Sequence, residues 1–115
     1  MKKLLPMIVA VKRITFDDCP IRVSEFSEDG LNHAAQCSLE IGGFVVPPIL
    51  LRVGSEANPS YHILEGYFQC YAALKAQAID SMKGETIPAI VIRDDDPSLD
   101  SFLRQLDYIK NDDNS

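Results

Sequence analysis

The 115 residues hold no tryptophan, only three cysteines and two histidines, and no apolar run that approaches the length of a bilayer span. The missing span removes a membrane from the expected partners. The opening MKKLLPMIVAVKR pairs Lys2 and Lys3 with an apolar run, as a leader peptide does. That run is broken by Pro6 and ends at Lys12-Arg13 without a small-residue cleavage site, so it reads as a first strand. The expectation is a cytoplasmic protein, neither exported nor anchored. Cys19, Cys37 and Cys70 are odd in number and far apart, and neither His33 nor His62 lies at ligand spacing from any of them. Reduced, half-buried thiols are expected, with no metal and no cofactor.

A basic stripe is also lacking. The formal net charge is −6, with acids massed at Asp94-Asp95-Asp96 and Asp112-Asp113, while Lys and Arg are scattered apart from Lys2-Lys3 and Lys12-Arg13. Such a chain repels a phosphate backbone at long range, which argues against a nucleic-acid partner. What is present is ordinary: 46% hydrophobic and 24% charged residues, enough for one domain to bury a core without staples. Neither repeats nor a linker divide it.

The segment from Val46 to Ile92 organises the rest, reading as strand, turn, strand, glycine, helix, loop, strand. Ahead of it, Met7–Val11 is rich in β-formers and Val11–Phe16 alternates, giving one strand or two short ones. Asp17-Asp18-Cys19-Pro20 is a turn. Ser27 caps a helix that has Glu28 and Asp29 in its first turn, an apolar stripe through Leu31, Ala34, Ala35, Ser38 and Leu39, and Gly42-Gly43 as its stop.

Pro47-Pro48 leads into a strand at Ile49–Val53, Gly54–Ser60 reads as a polar hairpin loop, and Tyr61–Leu64 returns with His62 as a half-exposed strand residue. A helix follows from Tyr67. Tyr67, Cys70, Tyr71, Leu74 and Ala78 form one stripe, and Phe68, Ala72, Ala76 and Ile79 a second, so it is expected to be central and largely buried. Ile87–Ile92 is the last strand, with Pro88 pointing to a sheet edge or a strand entry. Asp96-Pro97 starts a terminal helix with an apolar face at Leu99, Phe102, Leu103, Leu106 and Ile109, ahead of a polar tail from Asn111. That face packs back onto its own sheet, or it forms a dimer seam or enters a partner's groove. The fold class is α+β.

At Leu64-Glu65-Gly66-Tyr67 a strand hands over to a helix through glycine, which leaves helix N-terminal N–H groups open to an anion. In register, the pieces resemble the ParB/sulfiredoxin superfamily. The likeness runs from about Ile14 to Ile92, through Pro20-Ile21-Arg22, the acidic-start helix ending in Ser38-Leu39, Pro48-Ile49-Leu50-Leu51-Arg52, the glycine-start helix and Ile87-Pro88-Ala89-Ile90-Val91. It implies a small mixed sheet with packed helices over residues 1–93, with 94–115 as a terminal helix and acidic tail of the same compact unit.

The chain departs from the pattern where the superfamily keeps its chemistry. The glycine is followed in ParB relatives by Glu-Arg-Arg and in sulfiredoxins by Cys-His-Arg. Here Gly66 is followed by Tyr67, Phe68 and Gln69. Losing two arginines removes charge-assisted bonds of roughly 1.5–3 kcal/mol each, which argues against a nucleotide ligand. Cys70 lies three residues past the sulfiredoxin position, with no cation to activate it, and reads as a small core residue. Phe68 equally fills a core, whereas Tyr67 at the helix start is accessible.

The expectation is therefore a non-catalytic module that binds another protein or itself. The alternative is a nucleotide- or phosphate-using enzyme of NTPase, kinase or reductase type. It rests on Gly66, on Ser38 at the superfamily's Ser/Thr position, and on Arg22 and Arg52 as phosphate cations. Arg52 serves as well as a solvated strand residue. A DNA-partition or nuclease role is the third reading, and the charge argues against it.

Overall fold

A computed structural model of the chain describes residues 5–17 and 19–112, with side chains to residue 110. Lys2 and Lys3, Asp18 of the expected turn and the last residues of the expected tail lie outside the described residues. β1 (Pro6–Ala10) passes through one 3-10 turn, Val11–Arg13, into the short β2 (Ile14–Thr15). A second 3-10 turn, Val23–Glu25, precedes α1 (Glu28–Ile41). Then come β3 (Ile49–Ser55), β4 (Asn58–Glu65), α2 (Tyr67–Ile79), β5 (Thr86–Arg93) and α3 (Leu99–Asp112).

The strands form one mixed sheet in the order β1-β5-β3-β4-β2. β1 runs antiparallel to β5 and β3 antiparallel to β4, while β5 is parallel to β3 and β2 parallel to β4. A hairpin joins the antiparallel β3 and β4. Parallel β3 and β5 need the long return through β4 and α2. The fold is α+β, as the sequence implies.

Local chemistry explains α1. Ser27 Oγ accepts from Gly30 N–H at 3.1 Å, and Gly42 takes a left-handed φ of 80° at the other end. Leu31, Ala35 and Ser38 are its buried residues. The main core lies between sheet and α2, built from Val9, Val11, Ile14, Leu50, Tyr61, Cys70, Ala73, Ile87 and Ala89. A second cluster of Leu31, Tyr71 and Ala72 joins α1 to α2, with Phe16, Phe26, Phe44 and Phe68 packed around it.

Four expectations change in detail. The hairpin loop shrinks to Glu56-Ala57, because β3 runs to Ser55 and β4 begins at Asn58, in register Ser55 with Asn58. Polar residues extend both strands there because the hairpin tip faces water, so alternation carries no signal. The buried face of α2 is Cys70, Tyr71, Ala72, Ala73 and Ala76, while Leu74, Ala78 and Ile79 are exposed. Nearly every position of this helix is apolar, so periodicity leaves the phase open, and the small alanines take the close contact.

Pro88 is not on an edge strand, since β5 lies between β1 and β3. Ile90 N–H donates to Pro48 C=O at 2.9 Å, which places the nitrogen of Pro88, two residues earlier, on the same side but before β3 begins. No ladder bond is lost there. Gly43 (φ +149°) abuts the proline ring, and a Cβ on it would lie 2.7 Å from Pro88 Cδ. Finally, α3 continues through Asn111 to Asp112, into the stretch expected to be a polar tail. Asp96 Oδ1 accepts from Ser98 N–H at 2.7 Å, so Asp96 caps the turn that leads into it.

Candidate functional site: the glycine corner between β4 and α2

Gly66 joins β4 to α2 with φ 91° and ψ 40°, a conformation that favours glycine. The space beside it is already occupied. A Cβ built on Gly66 would sit 2.8 Å from Pro48 Cα and 3.5 Å from the Gln69 amide carbon. Gln69 Nε2 donates to Val46 C=O at 3.0 Å, which ties the first turn of α2 to the segment ahead of β3. Glu65 folds over the joint, its Oε1 accepting from Gly66 N–H at 3.1 Å. Its other oxygen lies 3.7 Å from Lys110 Nζ, and Lys110 also donates to Leu64 C=O at 2.9 Å. A carboxylate of the chain itself thus stands at the corner, countered by a lysine from α3.

Aromatic rings line the adjoining side. Phe68 meets Phe26 edge-on at 5.5 Å, and Phe16 meets Tyr71 at 5.0 Å. Tyr71 OH donates to Ile21 C=O at 2.7 Å, an acceptor shared with the Cys19 thiol at 2.9 Å. Tyr67 is half-buried and its hydroxyl donates to Ile63 C=O at 3.4 Å. Burial raises the Tyr67 phenol above its ordinary value, with smaller contributions from Cys19, Glu65 and Cys70. Burial likewise pushes the Cys70 thiol up to about 12 and the Tyr71 phenol up to about 12. Neither group supplies a nucleophile at neutral pH.

Gly66, Tyr67, Phe68 and Gln69 share this corner; the other sequence candidates are engaged in contacts of their own. Arg52 lies inside β3, opposite Tyr61 and Arg93, three residues beyond the Ile49 that faces Glu65. That is roughly 10 Å along the strand at ~3.3 Å per residue. Asp95 is held below the usual carboxylate range first by its hydrogen bond from Arg93, with Arg52 contributing at longer range. Arg22 is exposed and starts the 3-10 turn before α1, its N–H bonded to Glu25 Oε2 at 2.8 Å. Ser38 Oγ donates to Ala35 C=O at 2.7 Å, and Ser38 C=O accepts from Gly42 and Gly43, so it closes the end of α1. Among the described residues, the hydrogen bonds of Arg22 and Ser38 and the strand pairing of Arg52 are made away from Gly66.

Lys110 was not singled out by sequence reasoning. Nothing in the sequence signals that an α3 lysine meets the end of β4. Beside it runs an open hollow of about 400 Å³ lined by Leu64, Leu103, Arg104, Leu106, Asp107 and Lys110. A second hollow, about 40 Å³ and bounded by Thr15, Cys19, Pro20, His62 and Ile63, has room for little more than a water. Among the described residues, no three His, Cys, Asp or Glu side chains group to hold a metal, and no helix is long and apolar enough to cross a membrane.

No protein-family model matches the chain, and no curated protein is similar to it in sequence. The architecture is ParB-like. The chain is similar to the crystal structure of the C-terminally truncated chromosome-partitioning protein ParB from Caulobacter crescentus complexed with CTP-gamma-S. The TM-score is 0.57 at 21% identity, covering 92% of this chain and 52% of that one. The chain spans about half the length of this solved neighbour.

Proposed function

We propose that this is a ParB-like domain whose glycine corner has been turned over to internal contacts, and that it works as a non-catalytic binding or regulatory module. The observation that carries this reading is Glu65. Its carboxylate takes the Gly66 N–H, and its negative charge at the start of α2 repels an incoming phosphate. Lys110 lies beside that carboxylate, and Gln69 is tied back to Val46. The partner is another protein or a second copy of the chain, in a cytoplasmic setting, with residues 94–115 belonging to the same unit. Calorimetric titration with CTP, ATP and GTP in the presence of magnesium tests it: no binding is expected. Micromolar affinity for any of the three overturns the reading.

The second reading, a nucleotide- or phosphate-binding enzyme, draws on one observation, that the solved neighbour of this fold was crystallised with CTP-gamma-S. On that reading Arg52→Ala weakens the ligand and Glu65→Gln strengthens it. Unaltered heats in both variants remove it. A DNA-partition or nuclease role has less support, since the net charge of −6 opposes a nucleic-acid backbone.

A further inference from the structure

The outer edge of β1 is open among the described residues, and the register shows which backbone groups it presents. Ile90 N–H points to β3, where it bonds Pro48 C=O. By strand alternation, the backbone groups of Ile87 and Ala89 point the other way, to β1. Their partners are Val9 and Met7, so those two residues make the ladder with β5. Pro6, Ile8 and Ala10 then turn their backbone groups outward. The free edge carries two carbonyls, of Pro6 and Ile8, and two N–H donors, of Ile8 and Ala10.

This pattern is complementary to itself. If a second copy lies antiparallel across a two-fold axis at Ile8, each Ile8 N–H meets the opposite Ile8 C=O. Each Ala10 N–H meets the opposite Pro6 C=O, and the N–H that proline lacks is called for only at the open ends. The side chains agree with the backbone. Ile8 is 68% exposed and Met7 49% exposed, large apolar residues left at a sheet rim. From Leu5 to Val11 no residue is charged, although the whole chain carries −6. The paired segment itself therefore sets no like charges face to face.

We infer that the β1 edge is a self-association surface, on which two copies pair antiparallel about Ile8 and join their sheets. A five-strand-residue contact is smaller than a standard stable interface, so the dimer is weak and concentration-dependent. Sedimentation velocity over a concentration series, with amide exchange read by NMR, tests this. Dimerisation is expected to rise with concentration, with Ile8 and Ala10 amides gaining protection in step while Met7 and Val9 stay protected throughout.

Ile8→Pro deletes the outward donor and leaves the β5 ladder whole, and Ile8→Lys sets like charges face to face. Both are expected to give a folded monomer. If the proline disturbs folding, the lysine variant still decides. A wild-type chain that stays monomeric at every concentration overturns the inference and leaves the edge to a strand of another protein. A dimer indifferent to both variants overturns it too, and moves the contact elsewhere. Either result is distinct from the nucleotide titrations, which report on the Gly66 corner alone.

Discussion

At Gly66 a left-handed backbone and a neighbouring proline act on the same atom position. A Cβ there would meet Pro48 at 2.8 Å from its Cα and 2.9 Å from its Cβ, and the φ of 91° disfavours any L side chain. Gly66→Ala is expected to cost about 2 kcal/mol or more, read as a lower urea midpoint with an unchanged slope. Cys70 and Tyr71 give a second test at this scale. Their folded values, both about 12, lie above the ordinary 9.0 and 10.0 because burial disfavours the charged forms. Both ionise first in the unfolded chain, so their contribution is whole below pH 9 and is lost as pH climbs toward 12. Unfolding midpoints should fall steeply across that window, and Cys70→Ala should flatten the part that begins near 9. The glycine joint was legible from sequence because its cause is local. The Glu65–Lys110 and Gln69–Val46 contacts were not, since each joins segments that only the finished fold brings together.

The helices and strands differ in how far their own residues specify them. α1 carries its start and stop in Ser27 and Gly42, and Leu31, Ala35 and Ser38 of its stripe are buried while Ala34 and Leu39 are half-buried. α2 is apolar on nearly all sides, so its phase is set by which face is narrow enough to approach the sheet. Gly84, in the turn after α2, packs as tightly on the helix's last turn: a Cβ on it would lie 2.7 Å from the backbone of Ala76. α3 is the least supported helix. Leu106 is its buried apolar residue, Leu99 and Phe102 are half-buried, and Leu103, Tyr108 and Ile109 face solvent. Lys110 ties it to Leu64 and Glu65 at the end of β4, and two of the five residues of the expected apolar face, Leu103 and Ile109, are open to solvent. Amides of α3 are therefore expected to exchange with solvent faster than those of α2, and Leu106→Ala to widen the gap. Equal protection in the two helices would contradict this.

For the molecule as a whole, charge and topology pull on different properties. The net −6 bears on partners: a gel shift with duplex DNA at physiological salt is expected to show no complex, and a salt-sensitive shift would refute that. The charge is legible in composition alone, and the α+β class in the order of strand and helix signals along the chain. Strand order was beyond it, because Pro88 in an interior strand is tolerated only where β3 has not yet begun and Gly43 leaves room for the ring.

The seat of β5 between β1 and β3 also sets a timetable for synthesis. Among the described strands a ribosome releases β1 first and β5 last, yet β1 has β5 as its one neighbour in the sheet. While the intervening chain is being made, the uncharged LPMIVAV stretch waits with both rims unpaired. Nascent copies on one message are thus exposed to mutual capture until Thr86–Arg93 emerges and slots in.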